Sequence, residues 1–580
     1  IRRQRQMCIR DRSFMADDGS NTDGFMTEHM EFADQLAGYV ESEHPEFLVN
    51  KLYYDAYKKD MTAGTYPDVR SGLQKLLKDG LLLFNYTGHG GTTALSDEKV
   101  LTQTDINQFT YTHLPVWVTA TCDFTRFDDL NTSAGEDVFL NKSSGGIALF
   151  TTVRVAYSRP NFPINDNVIR NLFERNNGRR RTLGEVMQAT KNTLSSVYKL
   201  GFCLIGDPAV KMAYPEFGMK VTTVNGQSVD GNSISFKALE KITVEGEVLD
   251  VSGQLVTDFT GIVNPTVKDS KVTVTCLKNS NKDDSPAFTF TDYPNTIFIG
   301  NDSVRNGKFS FTFTVPKDIS YSNLQGKMNL YAVDTESGNE AQGNFDNFIV
   351  GGTSDTAETD TIGPEIRALY LNDTTFVDGG QVNTTPYFVA ELWDKSGVNI
   401  TGSSVGHDMM LVIDESTVLS YNLNSYYELL PGEDGTGIVK FPIPALEPGK
   451  HTAEFWVWDI LNNSTVRTFT FEVVEGLKPF LFDVIATPGI AREQVTFHLM
   501  HNRPESRMRV GIMVYDLAGR QLWKHEESGT SGLFENYTVS WDLTSGGVRM
   551  RPGVYIYRAA ISTDNSKDAT KARKFIILGE

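Results

Sequence analysis

Two short stretches of this sequence hold side chains that could do chemistry together. In "LLLFNYTGHGGTT" an apolar run leads to His89, set between Gly88 and Gly90; in "PVWVTATCDF" a second apolar run leads to Cys122. A cysteine is a nucleophile as its thiolate, and an imidazole within reach can take the thiol proton. Glycines on both sides of the histidine permit unusual torsions and let another part of the chain approach the main chain closely. If the two runs are neighbouring strands of a parallel sheet, their outgoing loops lie outside the carboxyl ends of the strands, where such sheets bind ligands. The amides of Gly90 and Cys122 could then receive the oxyanion of an acyl transfer. Taken singly, a histidine in a glycine turn and a small buried cysteine are the ordinary readings. Their matched positions at two strand ends favour the pair.

The surrounding sequence supplies the elements that such a pair needs. "TEHMEFADQLAGYVES" carries apolar residues at helical spacing, and "DVRSGLQKLLKDG" reads as a helix closing on Gly80. "SFMA", "LLLFNY", "VWVTAT" and "GGIALFTTV" are short continuous apolar strands of the buried parallel type. "SAGEDVFLNK" opens with a capping box from Ser133 to Glu136, and further helices are expected near 163–175 and 182–198. The expected fold over 13–215 is an α/β open, parallel-type sheet with helices on both faces. Beyond it the texture changes to short alternating strands punctuated by Gly, Asn, Asp, Thr and Ser, which predicts three all-β sandwich domains at 216–352, 353–479 and 480–580. Two hairpins repeat one design, a strand ending at an aspartate (Asp334, Asp459), a polar turn, and a second alternating strand.

Length alone implies roughly three to five domains. The 54 basic and 73 acidic residues give a net charge of −19, which argues against a nucleic-acid partner. Four cysteines, Cys8, Cys122, Cys203 and Cys276, stand far apart with no CxxC, so neither a disulfide scaffold nor a zinc site is suggested. Cys203 and Cys276 read as packing residues. "DDGSNTDG" offers hard oxygens from Asp17, Asp18, Asn21 and Asp23 that suit a structural calcium, although an Asx-rich turn explains it more simply. Residues 1–12, "IRRQRQMCIRDR", differ in texture from the acidic chain that follows and read as a non-native leader, so the fold is expected to start at Ser13, mid-domain.

"NYTGHGG", "TATCD" and "GFCLIGDPAVKMAYP" together resemble the gingipain family of cysteine peptidases, relatives of the caspases. With "CDFTRFDD", "SAGE", "TTVRVAYS" and the β-domains behind, the likeness extends to the sortases of the type IX secretion system. The resemblance implies a caspase- or gingipain-like sheet in which His89 and Cys122 are catalytic and Asp18 falls on the third catalytic acid. Glu28 or His29 falls near the acid that makes some gingipains arginine-specific, without a clean match, so arginine specificity is not implied. It further implies removal of carboxy-terminal sorting domains from exported cargo at the outer-membrane surface of a Bacteroidota-like bacterium, with attachment of cargo to anionic lipopolysaccharide as a further outcome. No cofactor is required for that chemistry. The tail, with "YDLAGRQLW" and "PGVYIYRAAI", resembles the cargo's own sorting domains and would hold the enzyme to an outer-membrane barrel partner, PorV. Its last strand, "ARKFIIL", is expected at a free sheet edge. Two other readings stay open: a secreted gingipain-like endopeptidase, and a non-catalytic surface scaffold.

Overall fold

A computed structural model describes residues 11–579 apart from 20–26, 112, 143, 177, 280–285, 355–359, 403–405, 431–434 and 564–565. The chain divides into two compact units, residues 1–315 with 319–355, and residues 316–318 with 356–580.

The first unit opens with an α/β sheet. Its strands are β1 (Asp11–Ala16), β2 (Leu48–Tyr53), β3 (Leu81–Thr87), β4 (Val116–Ala120), β5 (Ala148–Thr152) and β6 (Phe202–Ile205), in the spatial order β6-β5-β4-β3-β1-β2. All neighbours run parallel except β6, which is antiparallel to β5. Strands β3, β4 and β5 are buried along their whole length, as continuous apolar runs demand when helices cover both faces. Helix α1 (Glu28–Glu43) buries Met30, Ala33, Leu36, Ala37 and Val40, one stripe at helical spacing. Helix α2 (Pro67–Asp79) starts with proline in its first turn and stops at Gly80, whose φ of 105° an L-residue rarely adopts. Helix α3 (Ala134–Leu140) has the expected box: the Glu136 carboxylate accepts from the Ser133 amide at 2.8 Å and its hydroxyl at 2.6 Å. Helices α4 (Ser158–Phe173) and α5 (Leu183–Thr193) complete the layers.

One expectation is corrected here. The fold does not start at Ser13, because Asp11 and Arg12 already belong to β1. Arg12 is fully buried, with its guanidinium 3.2 Å from the centre of the Phe47 ring, so it is part of the core rather than of a leader; residues 1–10, with Cys8, lie outside the described residues. Strand β2, which the sequence did not single out, forms the sheet edge. Its Lys51 is buried and donates to Asp34 at 2.8 Å and to the Thr291 carbonyl at 2.8 Å.

That second contact comes from the first all-β segment, which belongs to the same unit. Its hairpin of β7 (Val272–Thr275) and β8 (Thr289–Asp292) sends Phe290 into the core that holds Phe14 and Tyr53, with the Tyr53 and Phe290 rings 4.7 Å apart. Cys276 is buried in the same cluster. The rest of the segment forms a nine-stranded and a three-stranded sheet.

The second unit contains four-stranded and five-stranded sheets between Glu365 and Val473, then three-stranded and five-stranded sheets between Leu481 and Ile577. In both repeated hairpins the aspartate caps the turn. Asp334 accepts the amides of Glu336 and Ser337, and Asp459 those of Leu461 and Asn463. The last strand, Ala569–Ile577, is not a free edge throughout: the two-residue strand Ile490–Ala491 pairs with its end at Ile576 and Ile577. Lys571 and Arg573 are bound inside the same segment, to the Phe482 carbonyl and the Asp483 carboxylate.

Candidate active site

The sheet reverses direction between β1 and β3: from β1 the chain crosses to β2 on one side, and from β3 to β4 on the other. Such a switch point opens a crevice at the carboxyl ends of the strands. The register makes those ends level, with Ala16 opposite Thr87 and Thr87 opposite Ala120. Asp17, Gly88 and Thr121 follow directly, then His89 and Cys122. A cavity of about 710 Å³ sits there, lined by Glu28, His29, His89, Cys122, Tyr157 and Arg159 among others. The histidine and cysteine singled out by their spacing thus face one space.

The His89 loop is held from below. Asp17, 1 % exposed, accepts the His89 amide on Oδ2 at 2.6 Å and holds Nδ1 of His29 on Oδ1 at 2.5 Å. The Tyr86 hydroxyl donates to the His89 carbonyl at 2.7 Å, and Asn85 donates to Asn165 of α4 at 2.7 Å. This is why the apolar run of β3 ends in Asn and Tyr. The glycines serve close approach, and neither has a positive φ. A Cβ on Gly88 would collide with the Tyr86 hydroxyl and the Asp17 carboxylate, and one on Gly90 with Thr121. Such overpacking costs ~1–3 kcal/mol. The far side of the loop is tied to α3 through the Ala134 amide and the Thr92 carbonyl, 2.7 Å apart.

Cys122 is half-buried. Its Sγ donates to the Ala156 carbonyl at 3.0 Å and accepts the Ala156 amide at 3.4 Å. Burial pushes the thiol above its ordinary pKa and Asp123 adds to the effect, while the Ala156 backbone offsets part of it. The thiol is therefore protonated at rest. Asp123, at φ 49°, turns the chain sharply after the cysteine. Among the described residues, neither the Gly90 nor the Cys122 amide donates to a backbone acceptor.

The carboxylate that reaches the His89 loop is Asp17, and Asp18 is corrected accordingly. Asp18 accepts from the Tyr66 hydroxyl at 2.7 Å and pairs with Lys59 at 3.4 Å. The two adjacent aspartates therefore serve different partners; Asn21 and Asp23, the other residues of the calcium reading, lie outside the described residues. Although burial opposes its charge, the His29 side chain and then His89 hold the Asp17 carboxyl below the usual range. Glu28 and His29 both line the cavity. Glu28 is paired with the largely exposed Arg159 at 3.0 Å, and the His29 ring stands edge-on to that of His89, centroids 5.0 Å apart. Neither the Asp17–His29 pair nor Arg159 was legible as a site feature; adjacency of the two aspartates was the only signal.

Asp17→Asn is expected to lower turnover ~10- to 100-fold while Asp18→Asn stays within ~3-fold, since the first loosens the His89 loop and the second the contacts to Lys59 and Tyr66. Steady-state rates of the two variants check this.

Residues 4–213 match the family model "Peptidase family C25". Among solved structures, the chain is similar to dimeric latent PorU from Porphyromonas gingivalis, with 26% identity, 98% of this chain and 64% of that chain covered, and a TM-score of 0.32. It is also similar to the Arg-specific cysteine proteinase gingipain R (RgpB), with 18% identity, 59% and 67% coverage and a TM-score of 0.30. The chain thus spans less than two thirds of the length of the PorU structure. No curated protein sequence matches it. The level strand ends at Asp17, His89 and Cys122 therefore sit inside the segment, residues 4–213, that matches the model of peptidase family C25.

Proposed function

We propose that this chain is a gingipain-type cysteine endopeptidase that removes carboxy-terminal sorting domains from exported cargo, acting as a sortase of the type IX secretion system. The observation that carries the peptidase reading is the lining of one cavity by His89 and Cys122, with Asp17 bound beneath the His89 loop.

In this reading a substrate peptide enters the cavity and the thiol turns from the Ala156 carbonyl toward His89. The imidazole takes the thiol proton, and the thiolate attacks the scissile carbonyl. The Gly90 and Cys122 amides receive the oxyanion, each such donor being worth ~10²–10³ in rate. The imidazolium then protonates the leaving amine, which leaves a thioester on Cys122. Water hydrolyses it, or an amine on anionic lipopolysaccharide displaces the thiol and keeps the cargo as an amide. The tail, residues 480–580, would hold the enzyme at the outer-membrane surface by docking on the barrel partner PorV. Its edge strand Gln521–Gly529 suits strand addition.

The test is to incubate the protein with cargo bearing a sorting domain, with and without an amine acceptor, and weigh the products. Release of the intact sorting domain is expected, with an acceptor adduct on the cargo when the amine is present. Digestion at many sites of unrelated proteins would favour the secreted endopeptidase. Inert cargo would favour the scaffold.

A further inference from the structure

Asp17, His29 and His89 come from three separate segments: the end of β1, the first turn of α1 and the loop after β3. A carboxylate oxygen and one ring nitrogen of each histidine lie within 4.8 Å of one another. Asp17 is 1 % exposed and His29 8 % exposed, and both imidazoles line the cavity. Two imidazoles and one carboxylate are a borderline donor set suited to zinc; calcium and magnesium take oxygen ligands. Three protein ligands also match the sites in which zinc keeps a fourth position for water. The Asp17 carboxylate is also oriented from outside the donor set, accepting from the Tyr86 hydroxyl at 3.3 Å and the His89 main-chain amide at 2.6 Å, as outer partners orient ligands around bound metals.

We propose that Asp17, His29 and His89 form a zinc site at the cavity floor, whose occupation switches the peptidase off. The ion replaces the proton between His29 Nδ1 and the Asp17 carboxylate. That proton moves to the other ring nitrogen or to solvent, and the ligands close around the metal. A His89 nitrogen committed to zinc has no lone pair left for the Cys122 thiol. Inhibition rests on the reading of His89 as the base. Zinc binding does not.

Calorimetric titration of Zn²⁺ into the full chain should show one equivalent bound, and the same stoichiometry and affinity in Cys122→Ala. In His29→Gln, which keeps a hydrogen-bond donor for Asp17, affinity should fall at least ~10-fold. Co²⁺ in place of zinc should give a tetrahedral visible spectrum without a thiolate-to-metal charge-transfer band. Loss of binding in Cys122→Ala, a thiolate band, unchanged affinity in His29→Gln, or no binding by folded protein would each overturn the site. Inhibition of peptide cleavage should follow occupancy, and unimpaired cleavage at full occupancy would overturn the switch. If zinc binds as described but the metal-free protein cleaves nothing, the peptidase reading fails and the zinc site stands.

Discussion

Cys122→Ala is expected, under the proposed function, to abolish release of sorting domains, a loss on the order of 10³-fold or more, while the protein still folds. Without the thiol there is no acyl-enzyme, and the remaining binding groups and amides can at best polarise the substrate. The fold should tolerate the change because Cys122 lies beyond the end of β4, is only half-buried, and its thiol, among the described residues, bonds to the main chain of Ala156. Its removal leaves a small gap that opens into the cavity rather than a void in the packed core. The layers beneath are braced independently: Thr152 donates to the Thr121 carbonyl at 2.6 Å, and Thr119 to Thr151 at 2.7 Å. Product release followed by mass, together with a thermal melt, checks both halves. Undiminished release from a folded Cys122→Ala protein would refute the assignment of the nucleophile.

His89→Ala is expected to lower kcat/KM ~10²- to 10⁴-fold at neutral pH, the usual contribution of a positioned base. The sign of its pH dependence follows from the thiol. Burial disfavours the thiolate, so the Cys122 pKa stands above its ordinary value and little thiolate exists at pH 7 without help. In the variant, activity should climb steadily as pH rises toward that raised pKa, because hydroxide then does what the imidazole did. The parent protein should be far less dependent on alkali. Alkylation of Cys122 by a thiol reagent should follow the same two profiles. Equal profiles for parent and variant would mean that His89 does not take the thiol proton.

Much of the site could be read from residue order alone. The continuous apolar runs at 81–86 and 116–121 read as strands buried on both faces, and as neighbours in a parallel sheet they carry the glycine-flanked histidine and the cysteine just past their ends to the same sheet edge. The capping box at Ser133 and the glycine stop at Gly80 were equally local, because a cap is satisfied by residues three or four apart. These features depend on short-range sterics and on burial periodicity, which the chain carries along its length.

What only the tertiary structure decided were choices between near-equivalent groups whose partners are distant in sequence. Asp17 and Asp18 are neighbours of identical chemistry. Asp17 lies beneath the His89 loop because His29, His89 and Tyr86 supply donors there, whereas Tyr66 and Lys59 claim Asp18. Lys51 made 48–53 a poor buried strand until the Thr291 carbonyl and Asp34 compensated its charge. Arg12, in a stretch whose composition set it apart, is buried because Phe47 presents an aromatic face to its guanidinium. The final strand became a partly covered edge because Ile490 and Ala491, far upstream in the chain, pair with its end. Periodicity and local sterics determine which elements form. Where a charge or a strand edge finds its partner depends on contacts between segments that no local pattern encodes.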